Sequence, residues 1–168
     1  MITPEFCRTM ARYNAWQNGA LIAAADGLSE AELVKYRGSF FGSILQTFSH
    51  LLWGDTLWMS RFDGWDTPKG GITESVRFVE DWGRLADLRA DADAMIRDWA
   101  DGLDEAALGG SLSWYSGALK ADVTRPLALC VAHFFNHQTH HRGQIHAMLT
   151  AAGARPGDTD LFVMPEGI

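Results

Sequence analysis

The chain is poor in several of the residues that commit a protein to common architectures. Of its 168 residues only two are cysteine and five are proline. Two cysteines do not make the disulfide framework of a small secreted domain, so Cys7 and Cys130 are expected as reduced thiols. No apolar run is long enough to span a bilayer. The opening stretch MITPEFCRTMARYNAW has no basic segment followed by an apolar one, so it does not read as a signal peptide and the cytoplasm is the expected compartment. Cations are scarce too, with 14 Lys and Arg against 21 Asp and Glu and a net charge of -7. They are scattered singly, and a nucleic-acid partner, which needs a basic patch facing phosphates, is not expected. There is no P-loop, no G-x-G-x-x-G and no C-x-x-C, which leaves nucleotide and iron–sulfur readings without support.

What is present is an aromatic, helix-forming chain. Hydrophobic residues make up 47 %, including seven Trp and nine Phe. The length suits one domain over residues 1–168 with one substantial core. Thr3 as N-cap, Pro4 at the first helical position and Gly27 as a stop predict a long first helix. Ser29 and Glu32 have the spacing of a capping box, which predicts a short second helix. A long helix from Ser43 to Phe62 is apolar around most of its circumference, so it is expected to be buried on more than one side or to face a second subunit. The spacing of Trp82, Leu85, Leu88, Met95, Ile96 and Trp99 predicts a helix over 78–102, whose polar face reads as solvated. SLSWYSG and ALKADV read as a short hairpin or extended loop. Pro126 to about Ala152 reads as the last long helix, stopped by Gly153. In the tail, Leu161, Phe162 and Val163 are expected to dock. Four long helices with little strand predict an all-α four-helix bundle.

Five of the six histidines fall within HFFNHQTHHRGQIH, residues 133–146, and the sixth is His50. With His137 at zero and ~100° per residue, His141 falls at about +40°, His133 at about -40°, His140 at about -60° and His146 at about 180°. Phe134, Ile145, Met148, Val131 and Leu149 centre the apolar stripe at about +80°, which puts His141 inside it and His137 on its edge. Histidines at i and i+4 can share one metal ion, and the pair 137/141 is the better buried of two such pairs. Two imidazoles do not complete a site, and His50 is the only remaining histidine. Gly54 and Thr47 on its helix face are small enough to leave a notch around it. A lone helical histidine is more often a packed residue than a ligand, so both readings stay open on the residues alone.

FSHLLWGDTLWMSRF and HFFNHQTHHRGQIHAML together resemble the DinB family of metalloenzymes. The resemblance extends over nearly the whole chain, including MARYNAW, FVEDWGRLADLRADAD, the N-H-x-x-x-H-R-G-Q core of the last helix and GDTDLF. It implies a four-helix bundle with up-down-down-up order. It implies a divalent metal, zinc or nickel, held by His50, His137 and His141, with His133, His140 and His146 outside the ligand set. An open coordination position suits a catalytic site, and relatives use such sites with low-molecular-weight thiols. The expected function is a metal-dependent enzyme acting on a small molecule, a transferase or hydrolase with a thiol co-substrate. The alternatives are a non-catalytic metal- or ligand-binding stress-related bundle, and a structural dimer with unused histidines. No residue stands out as a catalytic base. Asp55 and Asp160 could orient an imidazole, but a cap or surface charge is the more ordinary role of each. Cys130 could approach the pocket, but a small buried hydrophobe is its more ordinary role. Trp53, Trp58 and Trp65 read first as core or dimer interface and second as substrate lining. Leu45, Phe48, Leu52 and Met59, opposite His50, predict a homodimer covering a surface that one bundle leaves bare.

Overall fold

A computed structural model describes residues 1–117 and 119–167. The chain is mostly helical with one small sheet. The elements are α1 (Pro4–Ala25), α2 (Glu30–Val34), α3 (Ile44–Phe62), α4 (Ile72–Ser75), α5 (Trp82–Asp101), α6 (Glu105–Leu108), β1 (Ser111–Ser116), β2 (Ala121–Pro126) and α7 (Leu127–Ala151). The four long helices pack in a ring of neighbours: α1 against α5 and α7, α3 against α5 and α7.

Local chemistry sets most of these boundaries. Thr3 Oγ1 accepts the Phe6 amide at 3.1 Å, Ser43 Oγ accepts the Gln46 amide at 3.2 Å, and Gly153 takes the left-handed φ of 86° after α7. Ser29 caps α2 by accepting the Glu32 amide, but Glu32 turns its carboxylate to Lys35 and Arg37, so the box is half made. The expected third long helix starts late, at Trp82. Asp81 captures the Arg84 amide at 2.7 Å, while the Val79 amide is held by Ser49 Oγ on α3 at 3.0 Å, so Phe78 and Val79 approach the core from irregular backbone. The four-residue α4 has no counterpart in the sequence reading.

The segment before α7 is a hairpin. Its strands pair antiparallel with Trp114 opposite Val123, and Leu112, Trp114 and Ser116 alternate toward the bundle. The tail docks through other atoms than expected. Tyr13 Oη donates to the Thr159 carbonyl at 2.6 Å and Gln17 to the Asp158 carbonyl at 2.9 Å, whereas Phe162 is 86 % exposed.

Two apolar clusters fill the space between the helices. One centres on Leu21, Ile44, Phe48, Leu52, Leu85 and Ile145, the other on Cys7, Met59, Ile96, Val131 and Phe134. Leu45, Phe48, Leu52 and Met59 are all buried within the single chain. The premise of the expected homodimer, a bare apolar face on α3, therefore does not hold.

A charged layer crosses the same interior, contrary to the solvated face expected of α5. Arg89 and Asp55 are fully buried, and Arg89 Nη1 donates to Asp55 Oδ2 at 2.5 Å. Arg89 Nη2 lies 2.8 Å from Asp93 Oδ1, and Asn18 of α1 donates to both oxygens of Asp93. Arg142 of α7 is buried over the Tyr13 ring, its pKa pushed down by burial to about 10. Two buried cations thus balance two buried anions on α3, α5 and α7, and α1 adds the neutral Asn18 and Tyr13. Removing one partner of such a set leaves the others charged and dry. Arg89→Met, close in size, should lower the unfolding free energy by about 3–5 kcal/mol in urea titrations. A loss below ~1 kcal/mol would show that these charges are solvated.

Candidate metal centre

The site forms where α3 and α7 come closest. Gly54 faces His137, and a Cβ built at Gly54 would lie 2.9 Å from His137 Cε1. The missing side chain is what lets the His137 ring lie against α3. The small residue was legible in the sequence; its role is to seat His137 rather than to open a notch for His50.

His50, His137 and His141 each offer a ring nitrogen, and these atoms all lie within 4.8 Å of one another. His137 Nε2 is 3.4 Å from His50 Nε2 and 3.1 Å from His141 Nε2. Three nitrogens at ~2.0–2.1 Å from a tetrahedral ion stand roughly 3.3–3.4 Å apart, so the donor set fits a divalent metal.

The hydrogen bonds fix the tautomers needed for ligation. Ser75 Oγ donates its one proton to the Ile72 carbonyl at 2.6 Å. It can therefore only accept from His50 Nδ1, 2.7 Å away. His141 Nδ1 donates in the same way to Gln144 Oε1 at 2.9 Å. Both rings thereby keep the Nε2 lone pair free on the side where they converge. His137 Nδ1 is buried without a partner. Phe41 stacks on the His50 ring at 3.8 Å between centroids, with Trp53 on it at 6.0 Å.

Burial also keeps the imidazoles neutral. It pushes the pKa of His50 down to about 3, with His141 adding to the effect, and that of His137 down to about 3, with its neighbouring histidines adding. His141 is lowered by burial as well, while its bond to Gln144 opposes the shift.

The other sequence candidates lie elsewhere. His146 is 3.5 Å from the Gly157 carbonyl, and His140 contacts Gln144. His133 packs edge-on against Trp58 beside the pocket. Asp55 orients no imidazole and is neither cap nor surface charge, because it is spent on Arg89. Asp160 is exposed on the tail. Cys130 is buried, its thiol pushed up in pKa chiefly by burial, and it stands apart from the three-histidine group. Sequence reasoning missed Ser75 and Gln144. Gln144 was within reach, three residues after His141 on one helix face. Ser75 arrives on α4 from a loop, and no local spacing announces it.

A cavity of about 670 Å³ opens beside the cluster, reaching His50, Gly54 and His137. Trp53, Trp58 and Trp114 wall it, so the lining role, the second choice from sequence, describes Trp53 and Trp58. Trp65 packs against both apolar clusters instead.

The DinB family model matches residues 1–167. The chain belongs to the DinB family. Among curated proteins none matches it. Among the described residues of this DinB chain, the three-histidine group could hold a metal ion. Among the described residues no helix is long and apolar enough to cross a membrane.

His50→Ala, His137→Ala and His141→Ala should each remove most bound metal from tag-free protein by elemental analysis, and His146→Ala should not. Gly54→Ala should cut metal affinity at least about tenfold while helicity by circular dichroism is kept; unchanged affinity would show that His137 does not need the gap. The pH dependence concerns metal-free protein. Ordinary histidine titrates at ~6.5, so below that pH the unfolded chain takes up protons that folded His50 and His137 refuse until about pH 3. Stability should therefore fall as pH drops from 6.5, by up to ~2–3 kcal/mol per unit, and less steeply in a His50→Gln, His137→Gln variant. A flat urea midpoint between pH 7 and about 5 would contradict neutral, buried imidazoles.

Proposed function

We propose that this DinB chain is a zinc- or nickel-dependent enzyme acting on a small molecule with a low-molecular-weight thiol as co-substrate. The observation that carries the reading is the three-histidine group facing a walled cavity rather than sealed in the core. A divalent ion held there would lower the pKa of a thiol or water at its open position. The chain's own residues supply the rest. His50 and His141 are held in one tautomer by Ser75 and Gln144. Phe41 covers the cluster on one side, and the indoles exclude water on the other. Among the described residues no Asp or Glu lines the cavity, so hydrolysis assisted by a carboxylate base has no candidate there.

The same reading takes residues 1–168 as one bundle domain, its four long helices in up-down-down-up order, at work in the cytoplasm. A homodimer would associate through a face other than that of α3.

A site of this kind exchanges its outer ligand. Protein loaded with cobalt should change its ligand-field spectrum when a thiol or azide is titrated in, and His141→Ala should abolish the response. A spectrum indifferent to every added ligand would mean a closed structural ion, and the enzymatic reading would fall.

A further inference from the structure

The cavity beside the histidines holds one fixed charge. Arg61 lines it at the end of α3, about three turns and ~16 Å along the axis after His50. Its guanidinium carbon lies 4.6 Å from the Trp58 ring centre and 5.3 Å from that of Trp114, and the two indoles meet edge to face at 5.6 Å. The two indoles hold the guanidinium between β1 and α3. Arg61 is half-buried, and burial lowers its pKa. Among the described residues it forms no ion pair. Among the same residues no carboxylate lines the cavity to neutralise it.

We infer that Arg61 is the anion anchor of the cavity, and that the substrate is a small organic acid with its carboxylate on Arg61, its apolar body along Trp58 and Trp114, and its reacting end toward His50 and His137. A guanidinium held against two aromatic rings is pre-organised, with N–H groups left to take a carboxylate side-on. Leu57 and Ile72 add to the apolar wall, which suits a hydrocarbon or aromatic body. A phosphomonoester suits the Arg61 end less, since among the described residues no second cationic side chain lines the cavity. The inference names the substrate class of the proposed enzyme and rests on that reading of the cavity.

The test uses the full chain loaded with zinc. Phenylacetate, 3-phenylpropionate, 4-phenylbutyrate and 5-phenylvalerate are titrated by tryptophan fluorescence and calorimetry, each beside its uncharged primary amide. Wild type should bind at least one acid about tenfold to a hundredfold more tightly than its amide, the range of a charge-assisted hydrogen bond. R61Q should bind that acid and its amide equally. R61K should fall between, because lysine keeps the charge without the planar fork. Melting temperatures establish that the compared variants are folded. If R61Q keeps the preference for acid, another cation holds the carboxylate and the inference is wrong. It is equally wrong if wild type prefers none of the acids to its amide. The titrations are repeated after a chelator has stripped the metal, where the Arg61-dependent preference should persist. A chain that binds no zinc but keeps this preference would overturn the metal reading and leave the anchor standing.

Discussion

The close approach of α3 to α7 at Gly54 is the constraint on which the rest of the molecule turns. Metal ligation by histidines on two helices needs their ring nitrogens within a few ångströms, and ordinary side chains at the crossing would hold the helices too far apart. Gly54 removes that obstacle where His137 lies. His50 sits one turn earlier on α3 and His141 one turn later on α7, so one gap seats all three rings. The neutral state of the rings follows from the same packing, because the burial that brings them together also penalises their charge.

Next to Gly54 in sequence, Asp55 points the other way, into the charged layer. The two faces of α3 thus do different work within two residues. One meets α7 to bring the three histidines together; the other reaches Arg89 and, through it, Asp93 and Asn18. An apolar core of the same volume would be at least as stable. A charged layer instead accepts one arrangement of the four helices, since any slip in register leaves an ion dry and unpaired. The histidines need that fixed register, because an error of an ångström at Nε2 separates a ligand from a bystander.

Much of this was legible in the sequence, for reasons that are local. Thr3, Ser43 and Gly153 mark helix ends by chemistry within one turn. The pair His137 and His141 follows from helical angle, His50 stood as the candidate third ligand, and the DinB resemblance joined the three. The parts that were not legible are long-range. Asp55 and Arg89 look like surface charges until α3 and α5 are packed, because the chain carries each partner 34 residues from the other. The same blindness turned covered residues such as Phe48 and Met59 into an imagined dimer face. Ser75 was invisible because a loop, with no periodicity to read, delivers it to His50. Asp160 and Cys130 keep the ordinary roles favoured from sequence, an exposed charge and a small buried residue, whereas Phe162 shows the reverse error, an apolar residue that does not dock.

The central claim is that three imidazoles hold a divalent ion whose outer position opens to the cavity. X-ray absorption at the metal edge of tag-free protein reconstituted with zinc tests it most directly. The account predicts three imidazole nitrogens at ~2.0–2.1 Å and one oxygen scatterer that is lost when a thiol is added, a sulfur at ~2.3 Å then taking its place. A first shell that already contains sulfur before any thiol is present, or one that stays the same after thiol is added, would contradict it.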